Sequence, residues 1–148
     1  MTAESGETTY YPVQRFIVVD DDRINNLVSK FTIMKHCTTA ELQLFMDPEY
    51  ALDFINGMVS RGDDYSGTVI LLDINMPGMN GWEFLDHFAK LEDSVRKQFR
   101  IFLFSSSIDL VDKQRAANHP MLSGFFSKPL STHHLNIALG TAEVAAPI

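Results

Sequence analysis

The chain has one cysteine, Cys37, among its 148 residues. A single thiol cannot close an internal disulfide or supply a multi-thiolate metal site, and it suits a reducing compartment. Cys37 follows His36 and reads as a half-buried helix end, not half of a nucleophilic pair. Basic residues are few: 12 Lys and Arg stand against 19 Asp and Glu, a net charge of −7, with no basic cluster. That disfavours nucleic acid as a direct partner. No apolar run approaches the length of a membrane span. The start, Met1 to Glu7, is polar and acidic, unlike a signal peptide. No G-x-G-x-x-G follows the first apolar run, which removes a dinucleotide-binding module. Internal repeats and low-complexity segments are also missing. The expectation is a cytoplasmic protein of one domain.

Apolar residues make up 45% of the chain, including 11 Phe, and charged residues only 21%. A full core is available and global disorder is excluded. The apolar residues fall in runs that end on chemistry. Phe16-Ile17-Val18-Val19 ends in Asp20-Asp21-Asp22. Val69-Ile70-Leu71-Leu72 ends in Asp73. Ile101-Phe102-Leu103-Phe104 ends in Ser105-Ser106-Ser107. Gly124-Phe125-Phe126-Ser127 ends in Lys128-Pro129. Continuous apolar runs predict strands covered on both faces. Glu41 to Met46 alternates instead, with Leu42, Leu44 and Met46 on one side, and predicts an edge strand.

Between the strands the spacing turns helical. Ile24, Leu27, Val28, Phe31 and Met34 recur in the first such segment, with Asp21 or Asp22 available as N-cap. Asp47-Pro48 opens the second, whose buried stripe is Ala51, Leu52, Ile55, Met58 and Val59. Trp82, Leu85, Phe88, Ala89 and Leu91 belong to a third. Residues 108–118 form a fourth with a weak apolar stripe, expected to be exposed and loosely docked. Ser131 caps a last helix carrying Leu135, Ala138 and Leu139. Five alternations of strand and helix give a parallel sheet with helices on both faces, where strand carboxyl ends converge on one ligand-binding edge. Carboxylates, a hydroxyl and an amine gathered there suit a divalent metal and a phosphoryl group. Residues 1–14 read as a lead-in, 15–142 as the domain and 143–148 as a tail.

Ile17 to Asp22, Leu71 to Gly81, Phe104 to Ser107 and Ser127 to Leu130, in that order and each at a strand end, resemble a response-regulator receiver domain over about residues 14–142. Any one segment is a weak motif; four in register are a strong one. The resemblance implies a flavodoxin-like sheet of order 2-1-3-4-5 with five helices. It implies phosphorylation of Asp73, and a Mg2+ ion (or Mn2+) held by Asp20, Asp21, Asp73 and the Asn75 backbone carbonyl. Lys128 and Ser105 would contact the phosphoryl oxygens, through a Lys128-Pro129 bond that is cis in this family. Ser105 and Phe125 take the switch positions. Ser106 stands where Ala or Gly is frequent, and Phe125 lacks the hydroxyl of the Tyr often found there. Asn75 and Ser107 would tune phosphoryl lifetime. The partners implied are a sensor histidine kinase or histidine phosphotransfer protein and an unspecified downstream protein, with neither membrane nor nucleic acid. The chain would be a monomer or a phosphorylation-dependent dimer and would modify only itself. The segment Asp109 to Met121 and the final helix are the expected partner surface.

Two other readings compete. A haloacid-dehalogenase-like phosphatase also uses a strand-end Asp, but it wants a second Asp two residues on, where this chain has Asn75. A pseudo-receiver that only docks conflicts with the intact set Asp20, Asp21, Asp73, Ser105 and Lys128. His133 and His134 are adjacent, cannot converge on a metal from one helix face, and read as helix surface. His36, His87 and His119 lack partners at ligand spacing.

Overall fold

The computed structural model describes residues 12–106 and 109–140. Most of the expected lead-in, the tail and Ser107 lie outside the described residues. Strands β1 (Arg15–Val19), β2 (Glu41–Phe45), β3 (Thr68–Leu72), β4 (Phe99–Ser105) and β5 (Leu122–Ser127) form one parallel sheet in the order β2-β1-β3-β4-β5. Helices α1 (Arg23–His36), α2 (Pro48–Arg61), α3 (Gly81–Phe88), α4 (Asp93–Arg96), α5 (Leu110–Ala117) and α6 (Thr132–Leu139) connect and follow them. Six helices stand where five were expected. The addition, α4, is a single turn whose Val95 fills the base of the core, too short to leave a periodic signal.

The two sides of the sheet carry separate cores. Ile17, Val19, Ile70, Leu72, Ile101 and Leu103 pack beneath α2 and α3 with Ala51, Ile55, Met58, Phe84, Leu85 and Phe88. Phe16, Val18, Val69, Leu71, Phe102 and Phe104 pack beneath α1 and α6 with Ile33, Leu135, Ile137 and Ala138. Alternate residues of each central strand therefore serve opposite faces, and all five residues of β3 are buried. Asp47 caps α2 by accepting from the Glu49 N–H, with Pro48 at the first helical position. Only Ala116 is buried on α5, in keeping with its weak stripe.

Helix α1 reverses the usual arrangement. Its apolar stripe points outward: Ile24 is 65% exposed, Phe31 63% and Met34 52%, with Leu27 and Val28 also exposed. The buried residues are Asn26, Ser29 and Ile33. The periodicity marked a helix correctly, but periodicity does not say which stripe meets the sheet. Contacts at the helix start decide it. The Asp22 carboxylate accepts from the N–H groups of Ile24 and Asn25, and Asn26 reaches back to β1. Small Ser29 then faces the sheet. Ala89 is likewise exposed at the end of α3, while Phe84, absent from the expected stripe, is fully buried.

Candidate functional site

The site sits at the carboxyl edge of β1, β3, β4 and β5. Val19 of β1 pairs with Leu72 of β3, so the next residues, Asp20 and Asp73, leave the sheet side by side. The ladder runs one bond further on each: the Asp73 N–H donates to the Val19 carbonyl at 2.9 Å and the Asp20 N–H to the Phe45 carbonyl at 2.9 Å. One carboxylate oxygen from each of Asp20, Asp21 and Asp73 lies within 4.8 Å of the others. Asp20 is fully buried and Asp73 is 5% exposed.

Lys128 enters from the end of β5. Its N–H donates to the Ser105 carbonyl at 2.9 Å, which ties the ends of β4 and β5 together. The Lys128-Pro129 bond is cis. The buried ammonium lies 2.6 Å from Asp20 Oδ2 and 3.5 Å from Asp73 Oδ2. Ser105 is buried at the end of β4, opposite Ser127. Asn75 is exposed, and its N–H donates to the Asp73 carboxylate.

Three carboxylates gather here and Lys128 pairs with two of them, and the acidity of Asp73 registers the imbalance. Burial pushes its carboxyl up to about 6, the negative charges of Asp20 and Asp21 add to that, and Lys128 and the Asn75 N–H work against it. A divalent cation with hard, oxygen-preferring chemistry fits this donor set. The residues present therefore suit Mg2+ or Mn2+.

The loop after β3 is folded back on Asp73. The Gly81 N–H donates to the Ile74 carbonyl at 2.8 Å, and a Cβ on Gly81 would lie 2.6 Å from the Asp73 carbonyl oxygen. Any side chain there would push the loop off the strand, so the glycine is required by the close approach. Asn80 and Glu83 then close a capping box that starts α3.

Asp20, Asp21, Asp73 and Lys128 are thus brought together, with Ser105 joined to Lys128 through the backbone. Phe125 lies on the α5 side of the sheet, opposite Leu103, and is 37% exposed. The sequence reading passed over Asn26, whose signal was a polar residue off the apolar stripe, four after the cap. It also placed His134 on the helix surface. His134 is half-buried instead, stacked on Phe126 with centroids 4.5 Å apart, and its Nδ1 accepts from the Ser131 N–H.

The response-regulator receiver domain family model matches residues 16–139. The chain belongs to the receiver family. A two-component response regulator from Cytophaga hutchinsonii superposes on this receiver with a TM-score of 0.79, at 29% identity, covering 88% of this chain and 96% of the other. A response regulator receiver protein from Dyadobacter fermentans gives 0.75 at 30% identity, over 88% and 100% of the two chains. Part of the sensor histidine kinase AruS of Pseudomonas aeruginosa is 35% identical over 81 residues. That match covers 53% of this chain and 8% of the kinase, so the receiver corresponds to a small part of that protein. Among the described residues, no helix is long and apolar enough to cross a membrane.

Proposed function

We propose that this receiver accepts a phosphoryl group on Asp73 from a phosphohistidine of a sensor kinase or phosphotransfer protein, in a Mg2+-dependent reaction. The observation that carries the reading is the convergence of Asp20, Asp21 and Asp73 within 4.8 Å, with Lys128 against two of them.

A carboxylate oxygen of Asp73 attacks phosphorus, the P–N bond of the donor breaks, and its electron pair leaves with the imidazole. The nucleophile must be ionised, and Lys128 and the Asn75 N–H favour that form. Both reactants are anionic; Asp20, Asp21, Asp73 and the Asn75 carbonyl would hold a Mg2+, which would supply charge neutralisation during the transfer. Lys128, 3.5 Å from Asp73 Oδ2, would exchange that contact for a phosphoryl oxygen, and the Ser105 hydroxyl would contact the same group. Asn75 and Ser107 tune how long the acyl phosphate lasts by controlling water access. The receiver promotes its own modification and hydrolysis and turns over no free substrate.

The output surface is α5, β5 and α6, remodelled as Ser105 and Phe125 rearrange, a population shift between two packings. The phosphodonor surface is the outward stripe of α1. It begins beside the site, is apolar, and its helix carries the cations Arg23, Lys30 and Lys35 with no acid. An amphipathic helix with an acidic rim fits it.

Intact mass after incubation with acetyl phosphate and Mg2+ tests the core of this reading. One phosphoryl adduct is expected on the wild type and none on Asp73→Asn or in EDTA. No adduct on wild type, with no Mg2+ binding, would leave a domain that only docks.

A further inference from the structure

Asp20 is hydrogen-bonded at its N–H, its Oδ1 and its carbonyl, while its buried Oδ2 makes no hydrogen bond and faces the Lys128 ammonium as an ion pair. Its N–H donates to the Phe45 carbonyl at 2.9 Å, its Oδ1 accepts from the Asp22 N–H at 2.9 Å, and its Oδ2 meets Lys128 at 2.6 Å. The fourth partner comes from outside the site: Asn26 Nδ2 donates to the Asp20 carbonyl at 2.8 Å. Asn26 is 5% exposed, and its amide oxygen has no hydrogen-bond partner. The Asn26 N–H also donates to the Asp22 carbonyl at 3.0 Å, so one residue fastens both ends of the turn that carries the acidic pair.

A buried amide with its oxygen unpaired costs stability, and an apolar side chain at this helix position would avoid that cost. The amide is therefore better explained by what its nitrogen does than by packing. We propose that Asn26 is a positioning residue for the metal. Its hydrogen bond fixes the Asp20 peptide plane, and with it the direction of the Asp20 carboxylate toward Asp21 and Asp73, before the ion arrives. Without it the Asp20 carbonyl loses its tie to the helix, the turn is held less tightly, and the ion must order a ligand that it now finds ordered. Groups that orient metal ligands commonly change affinity by about tenfold or more. The inference rests on reading Asp20, Asp21 and Asp73 as the ion site.

Mn2+ titration of the full chain, followed by the electron paramagnetic resonance signal of the free ion and by Mg2+ displacement, tests this on wild type, Asn26→Leu and Asn26→His. Thermal unfolding in EDTA accompanies each. The expected result is about tenfold weaker Mn2+ binding in Asn26→Leu with the EDTA midpoint little changed. Asn26→His, whose Nδ1–H lies about where the amide N–H does, should recover most of the affinity. Unchanged affinity in Asn26→Leu, beside a wild type that binds, would overturn the role of Asn26 alone. Equal loss in both variants would also overturn it, since packing would then be the cause. If Asn26→Leu does not fold, Asn26→Ser is read by the same criteria. No Mn2+ binding by wild type would overturn the ion site itself, and this inference with it.

Discussion

The guanidinium of Arg115, on α5, lies 4.2 Å from the ring of Trp82, on α3. The same indole donates its N–H to the Asp112 carboxylate at 3.3 Å. With only Ala116 buried on α5, these two contacts to Trp82 add to the packing of the helix on β5. Trp82 directly follows Gly81, the residue packed on the Asp73 carbonyl. Trp82→Phe keeps an aromatic ring but loses the N–H and part of the cation–π attraction, together worth about 1 kcal/mol. Amide hydrogen exchange across α5 should rise severalfold while phosphorylation by acetyl phosphate is unchanged. Exchange at the wild-type rate would mean that β5 alone holds the helix.

Asp73 sets a pH dependence whose sign is opposite to that of an ion-paired carboxylate. Its carboxyl is raised from 3.8 to about 6 in the folded protein. Between those values the unfolded chain is ionised and the folded chain still binds the proton, so stability falls as pH rises through this window. Asp73→Asn carries no such charge. In EDTA, the variant and wild type should be similar near pH 4, and the variant more stable by about 2 kcal/mol at pH 7.5. Mg2+ should narrow that gap by stabilising the wild type. Denaturant unfolding at the two pH values checks both statements, and a gap that does not grow with pH would contradict the burial argument.

Much of this was legible in the sequence, for physical reasons that differ by element. Phe16–Val19 and Val69–Leu72 are apolar at every position because both sheet faces are covered, so a continuous run located each strand and the residue at its end. Asp47-Pro48 marked its helix start because cap chemistry is local. Where the outcome depended on a neighbour, the pattern was insufficient. The stripe Ile24 to Met34 has helical spacing, but the inward side was chosen by the Asn26 contact to Asp20. Phe31 and Phe125 look like core and are exposed, while His134 looks like surface and stacks on Phe126. The four site segments carry the strongest signal because each is short, contiguous and fixed to a strand end. The Arg115–Trp82 contact joins distant elements and leaves no such trace, while Asn26 reaches only six residues back and shows as no more than a polar residue off the apolar stripe.

Ser105 is buried at the end of β4, beside the lysine. Replacing it by Ala removes the hydroxyl proposed to contact the phosphoryl group and leaves Asp73 and the acidic cluster alone. Ser105→Ala should still take up a phosphoryl group from acetyl phosphate, within a few-fold of the wild-type rate. The change in hydrogen exchange over α5, β5 and α6 on phosphorylation should be largely lost. An undiminished change in the variant would remove Ser105 from the switch.

If the outward face of α1 docks the phosphodonor as proposed, it should separate the two sources of phosphoryl groups. Phe31 is 63% exposed near the middle of this helix. Its replacement by Glu removes an apolar anchor and sets an anion among Arg23, Lys30 and Lys35, where a partner helix with an acidic rim would be repelled. A small donor needs no such surface. Phe31→Glu should therefore be phosphorylated by acetyl phosphate at the wild-type rate, yet by its phosphohistidine donor at least tenfold more slowly, about the 1.4 kcal/mol expected for one lost anchor. Both rates follow from intact mass against time. An equal fall in both would point to damage at the acidic cluster. An equal rate with the protein donor would move the docking surface off α1, toward β5 and α6.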